Sequence, residues 1–522
     1  MNCDPPASDT HEEEGHFTGS GEAPRCRNGN PWSNAVPEVR EWPEKFAALG
    51  LDGLYVEGEA PRVLDARTRP EGAHSERLLG ELIAQERITQ LWLHPSWCMA
   101  AGLPACSDKS ANEGIEHPFT AGEWNREWTI AKAGLLTPWL KFYRSGERGT
   151  VAISIPHLDS RVSWDEAPDA RTLLAAILAY REATGGFAYR SGPGATSCGM
   201  LAKLHRDSNL GLDLAASLMP EDFPPPARQP GLTPQFAWLR PLTETERANG
   251  RYVHAYDKNG MFLAATSSLA CGFGIPAQFS PAPVFDKARA GYWLARVTFP
   301  DGLKWRDLPH PCYTGPKQKN PANNFHWYTT PTLSLAAEFG ARIKASEVWL
   351  YPETHLPFVP WYRRLRDART SLTDGAAAGD VAAGVALGAI KSTYTQGIGW
   401  LDLGALRDRA ESEDLYRPDW RHAVIAKANA DLWRNLAKCA TGGRSPFAIS
   451  TDAVYFVSAE PDPIKAAPPL RMGDGLGQYK VALAGLPLEA LDPVWELAAA
   501  GRPAGRQFRE FITITAAAKR EE

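Results

Sequence analysis

Two acidic side chains each stand alone in a short apolar run that is typical of a β-strand. They are Asp257, within Tyr252–Phe262, and Asp452, within Phe447–Phe456. Aspartate is disfavoured in strands, so two such cases invite a chemical explanation. Phosphoryl transfer by two metal ions uses carboxylates from separate strands of one sheet, which hold two Mg²⁺ about 3.5–4 Å apart. The sequence therefore predicts that Asp257 and Asp452 converge as metal ligands. The alternative is that each one caps a turn or pairs with an arginine.

Four arginines lie on one predicted helix, which runs from Trp361 to about residue 373. Arg363, Arg366 and Arg369 follow one another at intervals of three residues, so they share a helix face, and Arg364 lies beside them. Guanidinium groups bind phosphates in a bidentate manner, so this face is a candidate contact for a triphosphate or a nucleic-acid backbone. We favour Arg363 and Arg366 for that role, and the alternative is an ordinary solvated face.

The elements that must position these residues fall into two regions. The first, about 41–235, has strand patterns at 51–57, 88–94 and 151–156 and helical patterns near 78–87 and 170–184. The second begins near Gln235 and adds strand patterns at 296–299 and 347–351.

A predicted helical hairpin, 361–373 and 381–394, lies between the two aspartates, and a long helix at 422–440 follows it. Gly442 and Gly443 end that helix, and the segment that carries Asp452 comes next. Arg421 lies just before the long helix, which also carries basic residues; these cations face either nucleic acid or solvent.

Charge and composition describe an ordinary globular chain with an acidic start. The net charge of the 522 residues is −5, and residues 1–40 supply −4 of it, with seven acids and three bases. This segment is rich in Gly, Pro, Ser and Glu and is expected to be disordered. The eight cysteines form no CxxC pair, so we expect neither a zinc ribbon nor a disulfide framework but a reduced cytoplasm. No apolar run reaches the roughly 18 residues of a membrane span.

Three short motifs carry a family resemblance. Asp257-Lys-Asn-Gly-Met-Phe262 resembles motif A of the family B DNA polymerases, and Ser450-Thr-Asp452-Ala-Val-Tyr resembles motif C. Lys391-Ser-Thr-Tyr394-Thr lies where motif B is expected, and the order A, B, C is the order of the family. A longer stretch, roughly residues 85–480, is similar to the telomere-associated proteins of Streptomyces linear chromosomes and plasmids. That similarity is strongest at Arg240-Pro-Leu-Thr, Trp361–Ala368, Ala389–Thr393 and Trp420–Tyr455.

The resemblance implies an α+β fold: a family B DNA polymerase-like palm and fingers, preceded by a degenerate RNase H-like (exonuclease-like) domain. The expected organisation is an acidic tail at 1–40, the exonuclease-like domain at 41–235, the palm at 236–484 with helical fingers at about 355–400, and a small thumb-like segment at 485–522. Glu57 is the only acid on the presumed first strand of the front domain. Two acids are needed to hold two metals, so we expect that nuclease activity to be lost.

The resemblance also assigns roles to individual residues. Asp257 and Asp452 would be the catalytic pair and would bind Mg²⁺ (or Mn²⁺), with the carbonyl of Lys258 completing one metal's shell. Ser450 replaces the other acid of motif C. Phe262 occupies the position of the ring that lies under the nucleotide sugar, although a core aromatic residue is the alternative. The full set of implied contacts is Lys391, Phe262, Tyr394, Arg363 and Arg366 for the nucleotide, and Lys480, Tyr479 and Arg421 for DNA.

The implied function is DNA-directed nucleotidyl transfer at the ends of linear replicons. The implied partners are a single-stranded 3′ overhang of DNA, a terminal protein and deoxynucleoside triphosphates. A second reading keeps the fold but makes the chain a non-catalytic adaptor that binds the overhang and recruits the terminal protein. A third, a glycoside hydrolase or another α/β enzyme, fits the abundance of Trp and Asp but explains no ordered set of motifs.

Overall fold

The chain is described by a computed structural model. It covers residues 44–499 together with Phe508 and Phe511, except for gaps at 66–67, 71–81, 84, 102–127, 132–138, 145–149, 155–162, 190–191, 208–221, 230, 301–306, 316–319 and 403–415. The predicted tail at 1–40 and most of the predicted thumb-like segment lie outside these residues, as does part of the helix predicted near 78–87. The described elements are a mixture of helices and four sheets, which agrees with the predicted α+β class.

The sheet that carries Asp257 has five strands in the order β17-β8-β16-β15-β7, all antiparallel. Residues 259–447 separate β8 from β15 in the sequence, so residues from distant parts of the chain become neighbours in this sheet. Its elements are β7 (Ala237–Leu239), β8 (Tyr252–Lys258), β15 (Ala448–Ser450), β16 (Ala453–Ser458) and β17 (Tyr479–Pro487). Helix α4 (Glu244–Asn249) lies between β7 and β8 in the sequence, and α10 (Asp492–Ala499) follows β17.

One long helix, α9 (Pro418–Thr441), packs against one face of this sheet. Proline in its first turn suits a helix start, because that position needs no backbone N–H donor. Its apolar side chains Leu432, Trp433 and Leu436 are fully buried in one core with Tyr256 and Phe456 of the sheet. The position of the helix confirms the pattern at 422–440.

A second layer is inserted between β8 and the helical hairpin. It holds a four-stranded antiparallel sheet in the order β10-β13-β11-β12 and a two-stranded ribbon of β14 and β9. The strands predicted at 296–299 and 347–351 lie within or next to β11 and β13. Its elements are α5 (Met261–Ala265), β9 (Cys271–Phe273), β10 (Ala277–Phe279), β11 (Gly291–Thr298), β12 (His326–Thr329), α6 (Thr330–Glu338), β13 (Arg342–Leu350) and β14 (Glu353–His355).

The N-terminal region forms a six-stranded mixed sheet in the order β2-β1-β3-β6-β5-β4. Strand β3 pairs in parallel with both β1 and β6, and the other pairs are antiparallel. The RNase H-like identity of this region and its boundary at 235 stay predictions. Its elements are β1 (Phe46–Gly50), β2 (Gly53–Val56), β3 (Gln90–Leu93), α1 (Pro95–Ala100), β4 (Trp128–Ala131), β5 (Trp139–Arg144), β6 (Thr150–Ser154), α2 (Ala170–Ala183) and α3 (Pro193–Asp207).

The predicted helical hairpin is confirmed and is longer than expected, with α7 at Val359–Ala377 and α8 at Val381–Trp400. Asp380 starts α8 by accepting a hydrogen bond from the N–H of Ala383 at 3.1 Å. Helix α8 is apolar on most sides because it is packed between α7 and the N-terminal helices α2 and α3. The buried hydroxyls of Tyr180 and Thr393 hydrogen-bond across that contact at 3.0 Å. The N-terminal region and the hairpin therefore share one core.

Helices α3 and α8 approach each other closely because glycine stands at their contact points. A Cβ on Gly397 would overlap the side chain of Ser197, and one on Gly194 would overlap the ring of Trp400. No helix in the described part of the chain is long and apolar enough to cross a membrane.

Candidate active site

Strand pairing brings Asp257 next to the turn that carries Asp452. In the register of β8 and β16, Asp257 lies opposite Ala453, and the N–H of Lys258 donates to the carbonyl of Asp452 at 3.2 Å. Asp452 itself lies in the turn just before β16, not on the strand that the pattern predicted, because Thr451 adopts a left-handed conformation with φ of 60°. The two carboxylates nevertheless converge at one end of the sheet, as the sequence predicts.

The two carboxylates interact strongly. Burial, and after it the negative charge of Asp257, raise the pKa of Asp452 from 3.8 to about 7, and the ammonium of Lys480 partly offsets this rise. Lys480 Nζ lies 3.3 Å from Oδ2 of Asp257. Two crowded carboxylates ionise together only when positive charge is supplied. That property fits a divalent metal ion as their partner.

These two aspartates would be the side-chain ligands of such a metal. Among the residues that the structure describes, no group of three or more His, Cys, Asp or Glu side chains could hold a metal ion. Hard cations such as Mg²⁺ bind through one or two carboxylates and keep water or substrate phosphate oxygens as their other ligands. A pair of carboxylates is therefore a sufficient protein contribution for Mg²⁺ or Mn²⁺.

The side chain of Lys258 lies away from the carboxylates. Successive residues on a strand point to opposite faces, so Lys258 faces helix α9, where it is buried near Asp431. The pKa of Lys258 is lowered to about 8, mainly by burial; Asp431 opposes the shift, and the nearby cations Lys427 and Arg434 add to it. The predicted metal contact through this residue thus concerns its backbone carbonyl alone.

The helical hairpin places cations across from the carboxylates. Burial lowers the pKa of Lys391, and so do the charges of Arg369 and Lys480, which shows that three cations from α7, α8 and β17 lie near one another. Arg369 Nη1 donates to the hydroxyl of Tyr394 at 3.2 Å. Burial raises the pKa of Tyr394, and the charges of Asp257 and Asp452 contribute to the rise. The predicted residues Lys391 and Tyr394 are therefore brought to the site.

The end of β8 is in contact with the hairpin. Gly260 has a φ of 52°, and a Cβ added there would lie 3.4 Å from Arg369 Nη1 and 3.7 Å from the hydroxyl oxygen of Tyr394. Helix α5 starts at the next residue, and Phe262 lies in its first turn, half-buried between the core of the hairpin and the core behind the sheet. The end of β8 is thus surrounded by two carboxylates, three cations and one partly exposed aromatic ring.

Four of the residues predicted from the sequence are exposed or have other partners. Arg363 is exposed, and Arg366 is exposed with its guanidinium 2.7 Å from Asp367. Arg421 pairs with Asp402 at 3.3 Å. Tyr479 is buried on the α9 side of the sheet, where its hydroxyl accepts a hydrogen bond from Asn435 at 3.1 Å. The structure brings the neighbouring Lys480, on the opposite face of the same strand, to the carboxylates.

Two residues at the site were not among the predicted contacts. Arg369 is on the same arginine face as Arg366, but it borders the buried residues Ala368 and Leu372 and hydrogen-bonds to Tyr394. Asn259 is buried directly after β8 and bonds to the segment before β17. A polar residue at the edge of an apolar helix stripe is the signal that would have favoured Arg369.

Comparison with solved structures finds a likeness to phi29 DNA polymerase. Its complex with primer-template DNA and incoming nucleotide substrates matches with a TM-score of 0.46 and 11% identity over 84% of this chain and 85% of that chain. Its complex with primer-template DNA alone gives 0.45 and 12% over 84% of both chains, and its complex with single-stranded DNA gives 0.42 and 12% over 84% of both. No protein-family model and no curated protein matches the chain.

Proposed function

We propose that the chain is a nucleotidyltransferase of the DNA polymerase type that joins deoxynucleotides to a hydroxyl acceptor. The observation that carries this proposal is the convergence of Asp257 and Asp452 at one end of a sheet, facing three cations. Carboxylates bind the metal ions of phosphoryl transfer, and cations bind the triphosphate. Both kinds of group are needed on opposite sides of the reacting phosphorus.

The cations and the ring have distinct roles in binding. Arg369 and Lys391, from the two helices of the hairpin, would hold the triphosphate oxygens, the guanidinium in a bidentate manner and the ammonium as a point charge. Tyr394 keeps Arg369 in place through the 3.2 Å hydrogen bond. Phe262, half-buried in the first turn of α5, would lie under the sugar, where its bulk would select against a 2′-hydroxyl.

The carboxylates would act as metal ligands. Asp257 and Asp452 bind with both side chains ionised, so the pKa of about 7 for Asp452 makes metal affinity rise from mildly acidic to mildly alkaline pH. When bound, two divalent ions would activate the attacking hydroxyl and neutralise the leaving pyrophosphate. Lys480 compensates the charge of Asp257 in the metal-free protein and would turn to a nucleic-acid phosphate when metal replaces it.

We also propose a place of action, the ends of linear replicons, with the 3′ overhang and a terminal protein as partners. The similarity to the Streptomyces telomere-associated proteins across residues 85–480 supports this. The front domain would then be RNase H-like without nuclease activity. In keeping with this, Glu57 is held in an ion pair with Arg181 and in a hydrogen bond from the N–H of Phe46 at 3.3 Å.

The test is transfer of a labelled deoxynucleotide by purified protein. Wild type with Mg²⁺ or Mn²⁺, a primed template or a 3′ overhang, and a terminal protein should give labelled product. Asp452→Ala should abolish transfer and leave overhang binding within about twofold, because phosphate contacts come from cations. Asp374→Ala, at an exposed position in α7, is the matched control and should transfer normally. A wild type that binds DNA but neither binds Mn²⁺ nor transfers would overturn the proposal.

A non-catalytic adaptor is the second candidate. The observation that favours it is the substitution of Ser450 for one acid of motif C, which leaves only two carboxylates, one of them already within 3.3 Å of the Lys480 ammonium. An adaptor would bind the overhang and the terminal protein without metal. Tight binding of both by Asp257→Asn/Asp452→Asn protein, together with no transfer by wild type, would support this second function.

A further inference from the structure

Asn259 makes three hydrogen bonds, and all of them go to the segment that leads into β17. Its backbone N–H donates to the carbonyl of Gln478, and its carbonyl accepts from the N–H of Gly477, each at 2.8 Å. Its side-chain Nδ2 donates to the carbonyl of Gly473, also at 2.8 Å. Asn259 is 4% exposed, so water cannot easily replace these bonds.

The bonded segment, residues 473–478, is a tight turn, which we call the glycine turn. Gly473 and Gly477 have φ angles of 145° and 75°, which side-chain-bearing residues rarely adopt. Its closing bonds run from Gly475 N–H to Oε1 of Gln478 at 3.1 Å and from Gly473 N–H to the carbonyl of Tyr479 at 2.9 Å. The turn ends one residue before Tyr479, so its position sets the start of β17.

The glycine turn is held from the hairpin side as well. Arg369 Nη2 donates to the carbonyl of Asp474 at 3.1 Å, and Leu476 packs against Gly260 at the end of β8. In the register of β17 and β8, Lys480 lies opposite Asp257. The side chain of Asn259 thus connects the strand of one carboxylate to the turn that delivers the neighbouring ammonium.

We propose that Asn259 is a positioning residue for the transfer reaction, acting through Lys480. Its amide fixes the glycine turn, and with it the point on β17 from which the long, half-exposed side chain of Lys480 reaches Asp257 in the metal-free protein and would reach a nucleic-acid phosphate once metal is bound. The two backbone bonds would survive a substitution, so the strand pairing remains and only the alignment of the turn is lost. This inference rests on the proposed function for its catalytic part, and its structural part can be tested without activity.

Two substitutions separate the side-chain bond from packing. Asn259→Asp keeps the size and removes the donor, and Asn259→Ala removes both. Asn429→Ala is the matched control, because Asn429 is also buried and donates through Nδ2 to a carbonyl, that of Pro234 at 2.9 Å. Hydrogen exchange of metal-free protein should accelerate about tenfold, the factor of one lost hydrogen bond, in peptides spanning 473–480 for both Asn259 variants. The Asn429 variant should leave these peptides unchanged.

The catalytic part is tested by a double-mutant cycle in single-turnover transfer. Asn259→Asp should lower the rate at saturating nucleotide about tenfold and leave the nucleotide KM within about twofold. In a Lys480→Ala background, Asn259→Asp should lower the transfer rate little further, because the group that Asn259 positions is absent. Unchanged exchange in 473–480, or equal losses with and without Lys480, would overturn the inference. If wild type transfers no nucleotide, the proposed function is contradicted instead. The hydrogen-exchange data would then still decide whether Asn259 holds the glycine turn.

Discussion

Replacing Asp257 with asparagine should change the stability of the metal-free protein in a pH-dependent way. The unfolding free energy of the variant, relative to wild type, should be higher at pH 8 than at pH 5. The pKa of Asp452 is raised from 3.8 to about 7, first by burial and then by the charge of Asp257. A carboxyl whose pKa is raised by folding contributes stability that is present below its unfolded pKa and is lost as the pH rises through its folded pKa. The window of loss is therefore about pH 4 to 7.

The size of the effect follows from the same shift. The full rise of roughly three pKa units corresponds to about 4 kcal/mol. Burial is the larger cause and survives the substitution, so the charge of Asp257 carries the smaller part, about 1–1.5 kcal/mol or one pKa unit. The variant also loses the contact with the half-exposed Lys480, worth roughly 0–1 kcal/mol, but that loss is largely common to both pH values and is removed by comparing them.

The assay is urea unfolding in EDTA at pH 5 and pH 8 for wild type, Asp257→Asn and the exposed control Asp374→Asn. The difference in unfolding free energy between variant and wild type should be more favourable at pH 8 by about 1–1.5 kcal/mol, and the control should show no such change. An Asp257→Asn variant whose destabilisation is the same at both pH values would refute the reasoning, because the two carboxylates would then not interact.

Three further outcomes are expected. Arg369→Ala should raise the nucleotide KM about tenfold, since a charge-assisted contact is lost, while Arg366→Ala should change it by less than twofold; steady-state titration distinguishes them. Lys258→Met should stabilise the protein at pH 7, because it removes a buried charge. This gain in stability should shrink as the pH rises above about 8, the folded pKa of Lys258, since the wild-type lysine then loses its charge. Thermal denaturation at a series of pH values measures the change. Tyr180→Phe should lower the unfolding free energy by about 1 kcal/mol, since Thr393 loses its buried partner, and urea unfolding would show an unaltered midpoint if that bond contributes nothing.

The sequence was sufficient to predict that Asp257 and Asp452 meet, because each is the single acid of an apolar run and the runs carry motifs in a fixed order. It was not sufficient to place Asp452 in a turn. The segment Ser450-Thr-Asp452 has no glycine or proline, and the turn depends on a left-handed Thr451 that composition does not reveal.

Periodicity could not decide which residues of a helix face or strand reach the site. Arg363, Arg366 and Arg369 are equivalent by spacing, and only the docking of α7 selects Arg369. Strand alternation likewise implies that either Tyr479 or Lys480 faces the carboxylates, but the choice depends on the register of β17 against β8. Tertiary packing decides which of these residues reaches the site, and the hydrophobic pattern of a single helix or strand does not predict that packing.

The core that joins α2 and α3 to α8 can close only late in synthesis. Tyr180 and Thr393 are 213 positions apart, a delay of about 10–40 s at roughly 5–20 residues per second on the ribosome. Until α8 emerges, the faces of α2 and α3 that pack against it lack that native partner, and exposed apolar faces of this kind are bound by chaperones and aggregate. Fragments that stop short of residue 400 should therefore be recovered as insoluble protein, and slow translation between these two residues should lower the yield of the full chain.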